Sequence, residues 1–123
     1  MSTLNFPKFD SSSALDNAIM KYAQAIIDTA KEYYYNVYKD DIPYYMGIEV
    51  EKNRSYIRIV RIDVDKETGK QWGSSRSVHS FVDKMGNILK AASWKAPAKN
   101  GIRGTVYGNE YPLDVSGGIR YLR

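Results

Sequence analysis

Histidine is the side chain that most often moves protons near neutral pH, and this chain of 123 residues has one, His79. There is no cysteine, so a metal site of two or three histidines and the usual thiolate zinc and iron sets have no ligands. A hydrolytic triad would have to combine His79 with a serine and an Asp, and no Gly-x-Ser-x-Gly elbow supports one. The nucleotide signatures Gly-x-Gly-x-x-Gly and Gly-x-x-x-x-Gly-Lys-Ser/Thr are also missing. Asp63-Val64-Asp65-Lys66-Glu67 begins like a calcium loop but lacks the later Gly and Glu spacing, which predicts a solvated turn. These residues point to binding rather than turnover: no enzyme, no catalytic residue, no metal and no cofactor is expected.

Binding chemistry has better candidates. On a strand, Ser77, His79, Phe81 and Asp83 share one face, and Val78, Ser80 and Val82 take the other. With Val78 and Val82 turned to the core, His79 and Phe81 face outward as a stacking platform for a base. The competing arrangement turns Phe81 inward or covers it with the C-terminal segment. Ile88, Lys90, Ala92 and Trp94 share a phase, which lets Lys90 meet phosphate and Trp94 stack beside Phe81. Arg58, in phase with Tyr56, extends that surface, whereas Arg61 has the opposite phase. Between Trp94 and Gly104, small residues let backbone N–H groups approach an anion, while Lys99 and Arg103 supply a charge and a planar fork. An ordinary exposed loop has the same composition. Candidate ligand-binding residues are therefore Phe81, Arg103, Arg58, Lys90, Trp94, Lys99 and His79. The run Tyr33-Tyr34-Tyr35 with Tyr38, Tyr44 and Tyr45 could also stack on bases, but helical packing with a wet hydroxyl is the expected use.

Net charge is +4, unevenly spread. Residues 1–51 hold four Lys against eight acids, a sum of −4, and residues 52–123 hold fourteen Lys and Arg against six, a sum of +8. A half this positive attracts phosphate, although a solvated basic surface serving solubility has the same composition. At 43% hydrophobic and 26% charged, the chain fits one domain over 1–123. The N-terminus has neither a basic flank nor an apolar run, and no stretch reaches membrane-spanning length, so a soluble cytosolic protein is expected.

The elements that must position these residues read as an α+β fold. Leu15, Ile19, Tyr22, Ile26, Ala30, Tyr33 and Val37 recur at three- and four-residue steps and predict one long helix over 12–39. Ser13 with Asp16 resembles a capping box. Flanking Ala18, Ala23, Ile27 and Tyr34 widen the apolar stripe, which serves either a homodimer through this helix or the protein's own sheet. Strands are expected at 44–52, 55–64, 75–83 and 88–94, a four-stranded antiparallel meander spanning 44–94, joined at Asn53-Arg54, 66–70 and 84–87. Residues 95–123 read as an irregular Gly/Pro-rich tail, too apolar to be disordered, which packs on the sheet or reaches a second subunit.

The block Val78-His79-Ser80-Phe81-Val82-Asp83-Lys84-Met85-Gly86-Asn87-Ile88-Leu89-Lys90-Ala91-Ala92-Ser93-Trp94-Lys95-Ala96-Pro97-Ala98-Lys99, followed by Arg103-Gly104, resembles one found in small proteins of tailed bacteriophages. Within those, the layout of long helix, meander and Gly-rich tail is similar to the first type of anti-Thoeris protein, which sequesters cyclic ADP-ribose signals of bacterial immunity without cleaving them. Related proteins hold cyclic oligonucleotides. The resemblance implies a homo-oligomer in the cytoplasm of the infected bacterial host, with Phe81 on adenine, Arg103 and Arg58 on phosphate or ribose, and Lys90 as a polar contact. Two other functions fit the same residues: a phage protein binding single-stranded DNA along the basic sheet, and a virion or assembly component whose helix and tail make subunit contacts.

Overall fold

The computed structural model describes residues 4–5, 13–39, 43–108, 110–114 and 116–119. The predicted periodicity folds as one helix, α1 (Ala14–Tyr38), and the expected residue 12 lies outside the described residues. Ser13 is its N-cap, with the side-chain oxygen accepting from the Asp16 N–H at 3.1 Å, as the Ser-x-x-Asp spacing predicts. The Asp16 carboxylate meets Lys52 Nζ at 2.6 Å and so ties the start of the helix to the sheet. Lys39 ends the helix in the left-handed conformation and donates its N–H to Tyr35 O. No helix among the described residues is long and apolar enough to cross a membrane.

The sheet is antiparallel apart from one short edge and follows chain order: β1 (Leu4–Asn5), β2 (Tyr44–Lys52), β3 (Ile57–Asp65), β4 (Gln71–Val82), β5 (Asn87–Ala91) and β6 (Pro97–Thr105). β1 lies parallel to β2. The α+β reading holds, but the sheet has more than the four expected strands, and residues 97–105 are a strand rather than part of an irregular tail. The hairpin at Asn53 is also looser than expected, because the Asn53 N–H reaches Tyr56 O at 3.1 Å and β3 starts at Ile57. In the 66–70 turn, Asp65 accepts from the Glu67 and Thr68 N–H groups at 2.8 and 2.9 Å. Those bonds hold its carboxyl below the usual range, and they spend on the backbone an oxygen that a calcium loop would direct to metal.

The helix covers one face of the sheet. Ile19, Tyr22, Ile26 and Ile27 of α1 pack with Ile48 and Val50 of β2, Ile57 and Ile59 of β3, Val82 and Ile88. Ala18, Ala23 and Ile27, which widen the helical stripe, are buried here, so the width has an internal use. Tyr35, Val37 and Tyr38, at the C-terminal end of α1, are exposed.

One irregularity decides which residues share which face. Ile59 pairs with Ser80 and Val60 with Val78, leaving His79 as an extra residue in β4. This β-bulge breaks the two-residue alternation. Ser80 and His79 consequently both reach the helix side, where Tyr22 Oη lies 2.8 Å from Ser80 Oγ and 3.4 Å from His79 Nδ1. Phe81 takes the opposite face alone, so the expected joint platform of His79 and Phe81 does not form.

The hydrogens of this network can be assigned by elimination. His79 Nε2 is 2.7 Å from the Gly117 carbonyl, which can only accept, so Nε2 carries the proton. Nδ1, 2.8 Å from Ser80 Oγ, accepts from that hydroxyl, and Ser80 in turn accepts from Tyr22. Burial, aided by nearby Arg61 against the Gly117 carbonyl and Asp114, pushes His79 down to about 4. Burial also raises the Tyr22 hydroxyl, keeping it a donor. Gly117 belongs to a C-terminal hairpin closed by the Leu113–Ile119 bridge, and Asp114 Oδ1 accepts from the Ser116 and Gly118 N–H groups. His79 is therefore the latch that holds this hairpin to the sheet.

Two outcomes test the latch. Tyr22→Phe leaves the fully buried Ser80 hydroxyl without its donor and should cost about 1–2 kcal/mol in urea unfolding. The folded His79 value near 4 lies below the ordinary 6.5, so the unfolded chain binds the extra proton between them. The stability from a neutral His79 is thus complete above about pH 6.5 and declines as pH falls toward 4, by at most about 3 kcal/mol. Unfolding free energies of the wild type and His79→Gln, compared across that window, should converge as pH falls, whereas a constant difference would show that His79 titrates normally.

Candidate functional site

The face of the sheet away from the helix gathers part of the expected set. Arg58 of β3 pairs with Phe81 of β4, and its guanidinium sits 5.9 Å from the Phe81 ring and 4.8 Å from the Trp94 ring. Arg76 lies 5.6 Å from the Trp94 ring on the same face. Yet Phe81 is only 1% exposed, roofed by Arg58 and flanked by the Tyr56 ring at 6.0 Å, so a base cannot stack on it. Arg58 is equally committed, donating from Nε to Trp94 O at 2.8 Å and from Nη1 to Glu51 Oε1 at 2.9 Å. Arg76 also bonds Glu51, at 3.0 Å. Burial would raise Glu51, but these two arginines hold its carboxyl below the usual range. The face is a self-neutralised ion-pair network with an exposed indole at its rim.

The other candidates lie elsewhere. Leu89 pairs with Phe81, so Lys90 takes the phase of Ile88 on the helix side and does not join Phe81 as expected. Trp94 reaches Arg58 from the turn after β5, where the Ala92 and Ser93 N–H groups both bond Ala96 O, rather than by strand alternation. Lys99 and Arg103 stand on β6, with Lys99 exposed and Arg103 half-buried, so the expected anion-binding loop is a strand at the sheet edge. His79 is on the helix side, opposite to Arg58 and Phe81, and both its nitrogens are engaged in the latch.

A different cleft forms on the helix side, beyond the apolar core. Here α1 presents Tyr33, Tyr34 and Tyr38 across from Met46, Arg61, Ser77 and His79, and the C-terminal hairpin closes one end with Ser116, Gly118 and Ile119. The cavity is about 430 Å³, within the ordinary size of a small-molecule site. Its aromatic wall is set by ring packing, with Tyr34 5.9 Å from Tyr38 at 82° and 6.0 Å from Tyr33 at 54°. Arg61 reaches in from β3, and its Nη2 donates to Tyr34 Oη at 2.6 Å. Burial raises the Tyr34 hydroxyl, with Arg61 opposing, so it stays protonated and can donate in turn. Among the described residues Arg61 forms no ion pair, in contrast to Arg58 and Arg76.

Sequence reasoning did not select Arg61 or the tyrosines as a site. The signal was present in the phase: Arg61 alternates with Ile57 and Ile59, and an arginine on the inward face of a strand marks a place where the core opens to something polar. The arrangement offers flat rings, hydroxyls and a guanidinium with spare donors. It suits an anion joined to a planar group. His79 is committed on both sides and Ser80 is fully buried, so neither of these two is free to act as base or nucleophile.

No curated protein and no solved structure gives a significant match to the chain. A match to a family of proteins does cover residues 6–122, taking in α1, the strands β2–β6 and the C-terminal hairpin. The chain therefore belongs to that family, a family of unknown function (DUF7717).

Proposed function

We propose that the protein binds a phosphate-bearing nucleotide without converting it, and that the tyrosine and Arg61 cleft is the site. One observation carries this reading: a guanidinium with uncommitted donors stands opposite three tyrosine rings in a cavity of about 430 Å³. Stacking on a ring accounts for the base, and charge-assisted hydrogen bonds to Arg61 account for the phosphate. Such a binder in an infected bacterium would act as a sponge for a nucleotide-derived immune signal, the role that the phage resemblance implies. Thermal shift against AMP, ADP, cyclic dinucleotides and cyclic ADP-ribose tests it, because a ligand at a hundredfold its Kd stabilises by about 2.7 kcal/mol. Arg61→Ala should weaken binding about 10- to 100-fold, Arg58→Ala should leave it unchanged, and mass spectrometry of heat-released ligand should recover it intact. Loss of binding on Arg58→Ala with retention on Arg61→Ala would move the site to the sheet face away from the helix.

That face supports a second reading, because the exposed Trp94 indole flanked by Arg58 and Arg76 is a stacking post for single-stranded nucleic acid. On this reading oligonucleotide affinity rises with length, falls steeply with salt, and is lost in Trp94→Ala.

A further inference from the structure

Next to the cleft, and sharing Arg61 and Ser77 with it, is a recess of about 270 Å³ lined by Arg61, Ile62, Asp63 and Ser77. Asp63 pairs with Met46 and Arg61 with Ile48, so on β3 the two charged residues share the helix-side face, about 6.8 Å apart along the strand. They do not neutralise each other: no ion pair joins them, and Arg61 gives its Nη2 donor to Tyr34 instead. Oδ1 of Asp63 is buried with no hydrogen-bond partner, and the carboxylate as a whole makes no hydrogen bond or ion pair among the described residues. A carboxylate desolvated in this way is costly unless something donates to it, and a neighbouring phosphate cannot.

On this face of β3 the carboxylate follows the guanidinium by two residues, and the guanidinium itself meets the Tyr34 hydroxyl. A nucleotide with its base on the tyrosines and its phosphates at Arg61 directs whatever is esterified beyond the phosphates toward Asp63. Carboxylates recognise sugars by accepting from their hydroxyls. Resting on the nucleotide reading above, we propose that Asp63 is the specificity-determining residue of the cleft: it accepts a hydrogen bond from a sugar hydroxyl on the far side of the phosphates and so selects nucleoside diphosphate sugars over the bare diphosphates. A turn about the Cβ–Cγ bond, a soft torsion, brings either carboxylate oxygen to the recess.

Isothermal titration with ADP against ADP-glucose and UDP against UDP-glucose tests this. The sugar nucleotides should bind about tenfold tighter, the equivalent of one hydrogen bond to a charged group. Asp63→Ala should bring that ratio to about one while leaving the affinity for the bare diphosphates no weaker, a pattern that a purely structural role does not produce. Asp63→Asn, nearly the same size, guards against a folding defect and should lower the ratio with the Tm kept. Equal binding of both members of each pair by the wild type overturns the assignment while leaving the nucleotide reading intact. A tenfold ratio that survives Asp63→Ala overturns it too. If none of the four ligands binds, the nucleotide reading falls and takes this inference with it.

Discussion

One extra residue in β4 governs how the distant parts of this chain meet. With His79 bulged out of register, two consecutive side chains turn to the helix, and the interior receives an imidazole and a hydroxyl where alternation would supply one residue. Polar groups in that position are tolerable only if every hydrogen finds an acceptor. Tyr22 from the middle of α1 and the Gly117 carbonyl from the C-terminal hairpin complete the set. Gly117 has φ +91, and a Cβ there would meet Ile26 O at 3.0 Å, so the hairpin can press this close to α1 only because that residue is glycine. Helix, sheet and tail are thereby fixed by a chain of bonds that is satisfied in a single arrangement.

The cleft follows from the same arrangement. Above the latch, α1 runs on past the apolar core, and its last two turns carry Tyr33, Tyr34, Tyr35 and Tyr38, with an exposed Val37 as their one aliphatic residue. Opposite them the inward phase of β3 changes from Ile57 and Ile59 to Arg61 and Asp63. Helix and sheet therefore cannot close on each other there as they do around Ile26, and the latched hairpin walls the end of the gap.

Much of the fold was legible because period and capping are local properties. β2 occupies the span that alternation predicts, with Met46, Ile48 and Val50 buried, and the helix begins after the serine expected to cap it. The bulge was not legible, since nothing in Ser77 to Val82 marks one residue as supernumerary; the pairing with β3 decides it. Strand β6 was hidden for another reason. An edge strand needs hydrogen bonds from one neighbour and buries few side chains, so Pro97, Lys99, Gly101 and Gly104 are tolerated there although they read as loop. Gly101 is in fact required by packing, since a Cβ would lie 2.6 Å from Ala98 O.

The charge asymmetry is partly consumed by pairing within the fold. The pairs Lys52 with Asp16, Arg58 with Glu51, and Arg76 with Glu49 and Glu51 each join a base of the positive half to an acid of the negative half. The fold thus sets three cations of the positive half against three acids of the negative half, at the helix start and on the sheet face away from the helix, and a cation so engaged must break its own pair before it can hold a phosphate. Arg61 differs, because among the described residues its one hydrogen bond goes to a neutral hydroxyl. Where bases and acids interleave across a sheet, the pairing of each guanidinium, more than the sum of charges along the sequence, decides which donors remain for a ligand.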